Sequence, residues 1–119
     1  MKFTVKRIYD KDFSQYDFRV LIDRLWPRGV SKLNAHITLW EKELSPSSEL
    51  RKRYHRAEMP YSEFAQQYTQ ELTQNTELVQ DFLQKIANQN EVVLITAVKD
   101  IAHSHVPILL KVLENDLNR

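Results

Sequence analysis

Cysteine is absent from this chain of 119 residues. The chain therefore forms no disulfide and has no thiolate, which excludes cysteine-based phosphatase and sulfur-transfer chemistry. Long apolar runs are missing too, since none approaches the roughly 20 residues that a membrane helix needs. The first residues, Met-Lys-Phe-Thr-Val-Lys-Arg, lack the apolar segment of a signal peptide. These absences predict a cytoplasmic protein without a membrane segment.

The composition is that of an ordinary globular protein, with 42% apolar and 28% charged residues. This length suffices for one sizeable core, so we expect a single domain over residues 1–119. The net charge is +1, yet residues 1–60 carry 13 Lys or Arg against 8 Asp or Glu. The basic half includes Arg51-Lys52-Arg53, which is typical either of a patch for acidic partners or of a solvated helix face.

The only glycine, Gly29, ends an unusual segment with the sequence Arg24-Leu25-Trp26-Pro27-Arg28-Gly29. Glycine adopts positive φ without steric cost, so its single use here predicts a tight turn. The segment follows directly on the apolar residues 20–22. A strand that enters a turn with arginines on both sides is typical of an anion site.

Three segments are predicted strands. Phe3–Tyr9 mixes apolar and basic residues, as edge strands do, and Arg19–Leu25 is rich in apolar and β-branched residues. The run Val92–Val98 has no polar alternation, which predicts a central strand covered on both faces. Between them, Asp10–Asp17 is a predicted loop, and Leu33–Leu44 fits either a helix or a strand.

Apolar residues recur at helical spacing in three later segments. The three sets are Tyr61, Phe64, Ala65, Tyr68 and Leu72; Leu78, Val79, Phe82, Leu83 and Ile86; and Val106, Leu109, Leu110, Leu113 and Leu117. Pro107 fits only the first turn of a helix, so the last helix should begin near Ser104. An earlier helix should be capped by Ser47 or Ser48. The order of elements predicts an α/β fold: a single three-layer domain with a small, mostly parallel sheet and helices on both faces.

Two polar clusters follow the two most apolar strands. Parallel neighbours end at the same sheet edge, where ligands of open α/β sheets bind, so both clusters should share one pocket. Its predicted catalytic residues are acids and imidazoles, and its predicted ligand-binding residues are cations and an aromatic ring. The first set is Asp23, Asp100, His103 and His105, and the second is Arg24, Trp26, Arg28 and Lys99.

Each of these residues also has a purely structural interpretation. Asp23 caps a turn or pairs with Arg28, and Trp26 packs in the core. Trp40, Tyr54 and His55 either form a third wall of the pocket, or Trp40 packs on the helices while Tyr54 and His55 lie on the surface. The two histidines have no clear third ligand nearby, so neither a metal nor a cofactor is predicted.

The segment from Arg19 to Lys32, which contains the turn at Gly29, resembles the corresponding segment of the YeaO-like proteins. These are small bacterial proteins described as a domain of unknown function. Further similar pieces are Leu39-Trp40, Glu43-Leu44-Ser45-Pro46-Ser47, Glu49-Leu50-Arg51-Lys52 and Thr96-Ala97-Val98-Lys99-Asp100 with His103 and His105. The family pattern has Ala at position 98 and Asn at position 104, where this chain has Val and Ser. The resemblance implies an α/β domain in the bacterial cytosol and supplies no activity.

Three functions remain open. The first is a protein that binds, and as an enzyme processes, a phosphate-bearing small molecule such as a nucleotide or nucleoside derivative. There the cations hold the anion, Trp26 stacks on the base, and an Asp–His pair moves a proton. The second is a non-catalytic partner-binding domain. The third, a nucleic-acid-binding module, is less favoured because such a domain should be more basic overall.

Overall fold

A computed structural model describes residues 1–118 and contains a four-stranded parallel sheet. Its strands are β1 (Lys2–Arg7), β2 (Arg19–Leu21), β3 (Leu39–Trp40) and β4 (Glu91–Thr96), in the spatial order β1-β4-β2-β3. The helices are α1 (Lys32–Ala35), α2 (Ser48–His55), α3 (Tyr61–Gln74), α4 (Thr76–Lys85) and α5 (Val106–Leu117), with 3₁₀ turns at Lys42–Leu44 and Ile101–His103. None of the helices in this part of the chain is long and apolar enough to cross a membrane.

Strand β4 is the centre of the sheet, because it pairs with β1 on one side and β2 on the other. Residues 92–96 are all buried, which explains the absence of polar alternation in this run. Val92 and Leu94 face one layer of the core, and Val93 and Ile95 face the other. The prediction of a central strand covered on both faces is therefore confirmed.

The two faces of the sheet are covered unequally. Helices α2 to α5 pack on one face, where their buried side chains meet Val20, Ile22, Val92 and Leu94. The other face is covered by the four-residue helix α1 and by residues of the adjoining turns, including Trp26, Val30 and Trp40. The predicted α/β fold, with a parallel sheet and helices on both faces, is confirmed.

Several predicted boundaries differ from the observed ones. Strand β2 ends at Leu21 rather than Leu25, because the chain turns as soon as Asp23 is bonded to the neighbouring strand. The ambiguous segment Leu33–Leu44 is divided among α1, β3 and a 3₁₀ turn. Helix α5 begins at Val106, and the hydroxyl of Ser104 accepts the Val106 N–H just before it. At the start of α2, Ser47 is the residue that caps the helix.

Tyr68 on α3 joins the helical layer to the turn that precedes α2. Its ring is fully buried, and its hydroxyl donates to the carbonyl oxygen of Leu44. Burial, reinforced by the negative charge of Glu71, raises the pKa of the Tyr68 hydroxyl well above its usual range. The hydroxyl is therefore held neutral in the folded protein at a pH where an unfolded tyrosine ionises.

The substitution Tyr68→Phe should lower the free energy of unfolding by about 1–3 kcal/mol at pH 7, because the Leu44 carbonyl loses its donor. Above pH 10 the wild type should lose stability relative to the variant by about 1.4 kcal/mol per pH unit, since only its unfolded state releases the proton. Urea denaturation of both proteins between pH 7 and pH 11 measures the difference. Parallel pH profiles would contradict the assignment.

Candidate functional site

A cleft of about 510 Å³ lies at the carboxyl edge of the sheet, beyond the ends of β2 and β4. The two strands are parallel neighbours with Leu21 opposite Ile95, and the N–H of Ile22 donates to the carbonyl oxygen of Ile95. The residues that follow each strand are thereby brought to the same place. All eight residues predicted for the site line this cleft: Asp23, Arg24, Trp26, Arg28, Lys99, Asp100, His103 and His105.

The turn after β2 owes its shape to Gly29 and Trp26. Gly29 has φ of +74°, and no atom lies within 4 Å of the position a Cβ would take, so conformation alone requires glycine here. The indole Nε1 of Trp26 donates to the carbonyl oxygen of Val30 at 2.7 Å, which closes the turn. Trp26 also packs edge-on against Trp40. It is thus both a core residue and a wall of the cleft.

Asp23 is the polar hub of the sheet edge. One carboxylate oxygen accepts from the Thr96 hydroxyl at 2.7 Å, and the other accepts from the Ala97 N–H at 2.8 Å. Nε2 of His105 lies 3.3 Å from the same carboxylate. These bonds join β2 to the end of β4 and to the start of α5. Asp23 makes no ion pair with Arg28, one of the partners the sequence suggested.

The two histidines occupy different environments, as their separation by one residue suggests. His105 is buried, and its Nε2 lies 2.9 Å from the carbonyl oxygen of Ile22. Because a carbonyl only accepts, Nε2 carries the hydrogen. His103 is exposed, and its Nδ1 lies 2.9 Å from a carboxylate oxygen of Asp100. Of the two histidines, only His103, paired with Asp100, is accessible to solvent in the cleft.

The cations of the cleft fall into two groups. Arg24 is held by the protein, since its Nη2 donates to the carbonyl oxygen of Pro46 at 3.1 Å and its Nη1 lies 3.5 Å from Glu43. Arg28 and Lys99 are exposed, and neither makes an ion pair or a side-chain hydrogen bond within residues 1–118. These two charges are therefore free to meet a ligand.

A family model described as the inactive DUF488-N3 subclade matches residues 2–119. The chain belongs to this family. Similar proteins include the uncharacterized protein YeaO of Escherichia coli (strain K12), 46% identical over 55 residues, which are 46% of this chain and 48% of that protein. The uncharacterized protein Rv3073c of Mycobacterium tuberculosis (strain H37Rv) is 41% identical over 51 residues, 43% of each chain.

The similarity to YeaO confirms the resemblance inferred from the sequence at the level of the family. The chain matches about half the length of the Escherichia coli relative and 43% of the mycobacterial one. No solved structure matches the chain.

Helix α2 supplies the wall of the cleft that the sequence left undecided. Tyr54 and His55 both line it, and the Tyr54 hydroxyl donates to the carbonyl oxygen of His103 at 2.8 Å. Burial, with a smaller contribution from Asp100, raises the pKa of Tyr54. Trp40 is not part of this wall. It lies on the sheet face opposite α2–α5, which corrects the expectation that it packs on the helices.

Arg51, also on α2, lines the cleft as well and was not among the predicted site residues. In the sequence it stands in Arg51-Lys52-Arg53, where one residue cannot be told from the next. The fold separates them: Lys52 is exposed, and Arg53 lies 3.9 Å from Glu58. The charge asymmetry was the only sequence signal, and it did not distinguish Arg51.

No group of three His, Asp or Glu side chains in the described part of the chain is arranged to bind a metal.

Replacing Asp23 by Asn should lower the free energy of unfolding by about 1–3 kcal/mol. The Asp23 carboxylate accepts from both the Thr96 hydroxyl and the Ala97 N–H. In Asn an NH₂ group replaces one of the two accepting oxygens, so it cannot accept one of these hydrogen bonds. The matched control is Asp100→Asn, which changes the exposed carboxylate of the same cleft and should cost less than about 1 kcal/mol. Urea denaturation of both variants measures the difference, and equal losses would contradict the role of Asp23.

Proposed function

We propose that this protein binds a phosphate-bearing small molecule, such as a nucleotide or nucleoside derivative, in the cleft at the sheet edge. The observation that carries the proposal is the pairing state of the charges around the cleft. The carboxylates of Asp23 and Asp100 are occupied by internal partners, whereas the cations of Arg28 and Lys99 are not. An anion entering the cleft therefore meets unpaired positive charge.

The remaining lining suits an organic group attached to the anion. It is largely apolar and aromatic, with contributions from Leu25, Trp26, Pro27, Pro46, Phe64 and Val98. A concave, mostly apolar site with a few polar groups is the usual form of a small-molecule site. A nucleic acid would instead require cations along an extended face. The unpaired cations Arg28 and Lys99 lie within the same cleft, which favours a small ligand.

The proposal is for binding rather than turnover. The family is described as an inactive subclade. The bonds of Asp23 and His105 hold the sheet edge together, and neither side chain is released for proton transfer without breaking them. Among the described residues that line the cleft, Asp100 and His103 form the acid–imidazole pair accessible to a ligand, and we assign this pair to hydrogen bonding with that ligand.

A non-catalytic partner-binding domain is the second candidate. It is favoured by the internal bonds of Asp23, Arg24 and His105, which need no ligand, and by Leu25, which is 60% exposed at the cleft. In that case the cleft would be a rigid turn that presents an apolar side chain to another protein. The two candidates differ in whether a small anion stabilises the isolated chain.

Titration with AMP, inorganic phosphate and adenosine should separate them. We expect AMP to raise the melting temperature more than adenosine, with an effect that shrinks as salt is added, because the phosphate makes the charged contacts. Arg28→Ala should weaken the affinity for AMP, measured by calorimetry, about tenfold or more, because one charge-assisted hydrogen bond is lost.

The matched control is Lys111→Ala, which removes an exposed cation of α5 that does not line the cleft and should leave AMP binding unchanged. If AMP, phosphate and adenosine all leave the melting temperature unaltered, the cleft is not a phosphate site and the partner-binding candidate is favoured. Equal AMP affinity for Arg28→Ala and the wild type would remove Arg28 from the site.

A further inference from the structure

Four buried side-chain nitrogens within residues 1–118 have no hydrogen-bond partner, and all belong to arginines. They are Nε and Nη1 of Arg19, Nε of Arg24 and Nε of Arg51. A buried N–H without an acceptor is unfavourable, and folded proteins contain few of them. Each of the four therefore requires a physical explanation.

For Arg19, the explanation of the unpaired nitrogens lies within the protein. Its guanidinium lies 4.1 Å from the centre of the Phe13 ring, and its Nη2 donates to the carbonyl oxygen of Ala35. The contact with the ring compensates part of the charge by a cation–π interaction. Arg19 belongs to the sheet face away from α2–α5 and does not line the cleft.

Arg24 and Arg51 have no such compensation in the described structure. Neither guanidinium lies over an aromatic ring, and both arginines line the cleft. The Nη groups of Arg24 are fixed by Ser45, Pro46 and Glu43, so its Nε–H is left without an acceptor while the side chain is held in place. Arg51 makes no ion pair and no side-chain hydrogen bond within residues 1–118. Arg51 is thus a half-buried lining residue whose guanidinium has no protein partner, whereas Arg24 is fixed in the wall of the cleft.

We propose that Arg51 turns its unpaired guanidinium to the oxygens of a terminal phosphate bound in the cleft and is the main anchor of that phosphate, while Arg24 stays in the wall with its own partners. This inference rests on the proposed function and specifies its anion. The Nε–H and the adjacent Nη–H of a guanidinium form a planar fork that matches two oxygens of a phosphate. With Arg28 and Lys99 unpaired nearby, the cleft carries more positive charge than a carboxylate monoanion balances. A dianionic phosphate monoester fits it better.

The substitution Arg51→Met tests the role of Arg51 in two ways. Met keeps an unbranched apolar stem of helical propensity similar to Arg, and it removes both the charge and the unpaired Nε–H. The free variant should therefore melt at the same temperature as the wild type or above it. The same variant should bind inorganic phosphate and AMP at least about tenfold more weakly than the wild type, because it loses a bidentate charged contact.

The matched control is Lys52→Met, which removes one positive charge from the neighbouring, exposed position of the same helix. Calorimetry with inorganic phosphate, AMP and acetate, at equal ionic strength, compares the two variants with the wild type. We expect Lys52→Met to bind phosphate within about twofold of the wild type, because an exposed charge outside the cleft acts only through screened attraction. We expect acetate to bind far more weakly than phosphate.

The outcomes separate this inference from the proposal on which it rests. If Arg28→Ala weakens AMP binding while Arg51→Met binds AMP and phosphate like the wild type, the cleft is a phosphate site and the role of Arg51 is overturned. A melting temperature well below the wild type for Arg51→Met, with unchanged phosphate affinity, would show that Arg51 is a structural residue. Acetate binding as tight as phosphate binding would overturn the phosphate assignment. No binding of any probe by the wild type would overturn the proposed function itself.

Discussion

The carboxylate of Asp23 is the interaction on which the arrangement of this protein's cleft depends. It accepts hydrogen bonds from Thr96 and from the backbone of Ala97, so it ties the end of β2 to the end of β4. His105 completes the junction by reaching the Ile22 carbonyl from the start of α5. Segments 23–28 and 97–105 are far apart in sequence, and this junction holds them in register. A carboxylate that serves two donors at once has no neutral substitute of the same shape.

The polar residues of the cleft therefore divide into those that build it and those that face its interior. Asp23, Arg24 and His105 are occupied with backbone and side-chain partners. Arg28 and Lys99 are not. Such a division suits the anion binding that we propose, because a wall held by internal bonds needs to gain little side-chain order when a ligand binds.

The parts of the fold that follow from local sequence patterns were predictable. The uninterrupted apolar run before Lys99 predicted a central parallel strand, and the glycine at position 29 predicted a turn with positive φ. Both patterns are short-range and have one dominant physical cause. The division of Leu33–Leu44 into three short elements was not predictable, because segments this short take their conformation from their neighbours. The predicted position of Trp40 was wrong for a different reason: alternation along a strand does not say which face of the sheet the larger helices cover.

The sequence by itself determined the α/β class, the parallel arrangement and the meeting of two polar clusters at one sheet edge, since parallel neighbours end on the same side. It named eight residues that line the cleft. Only the tertiary structure decided what each of them does there, because hydrogen-bond partners come from elements distant in the chain. Asp23 is committed to Thr96 and Ala97, and Arg51 is separated from its basic neighbours and left unpaired. Composition counts charges, whereas their pairing is a property of the folded geometry.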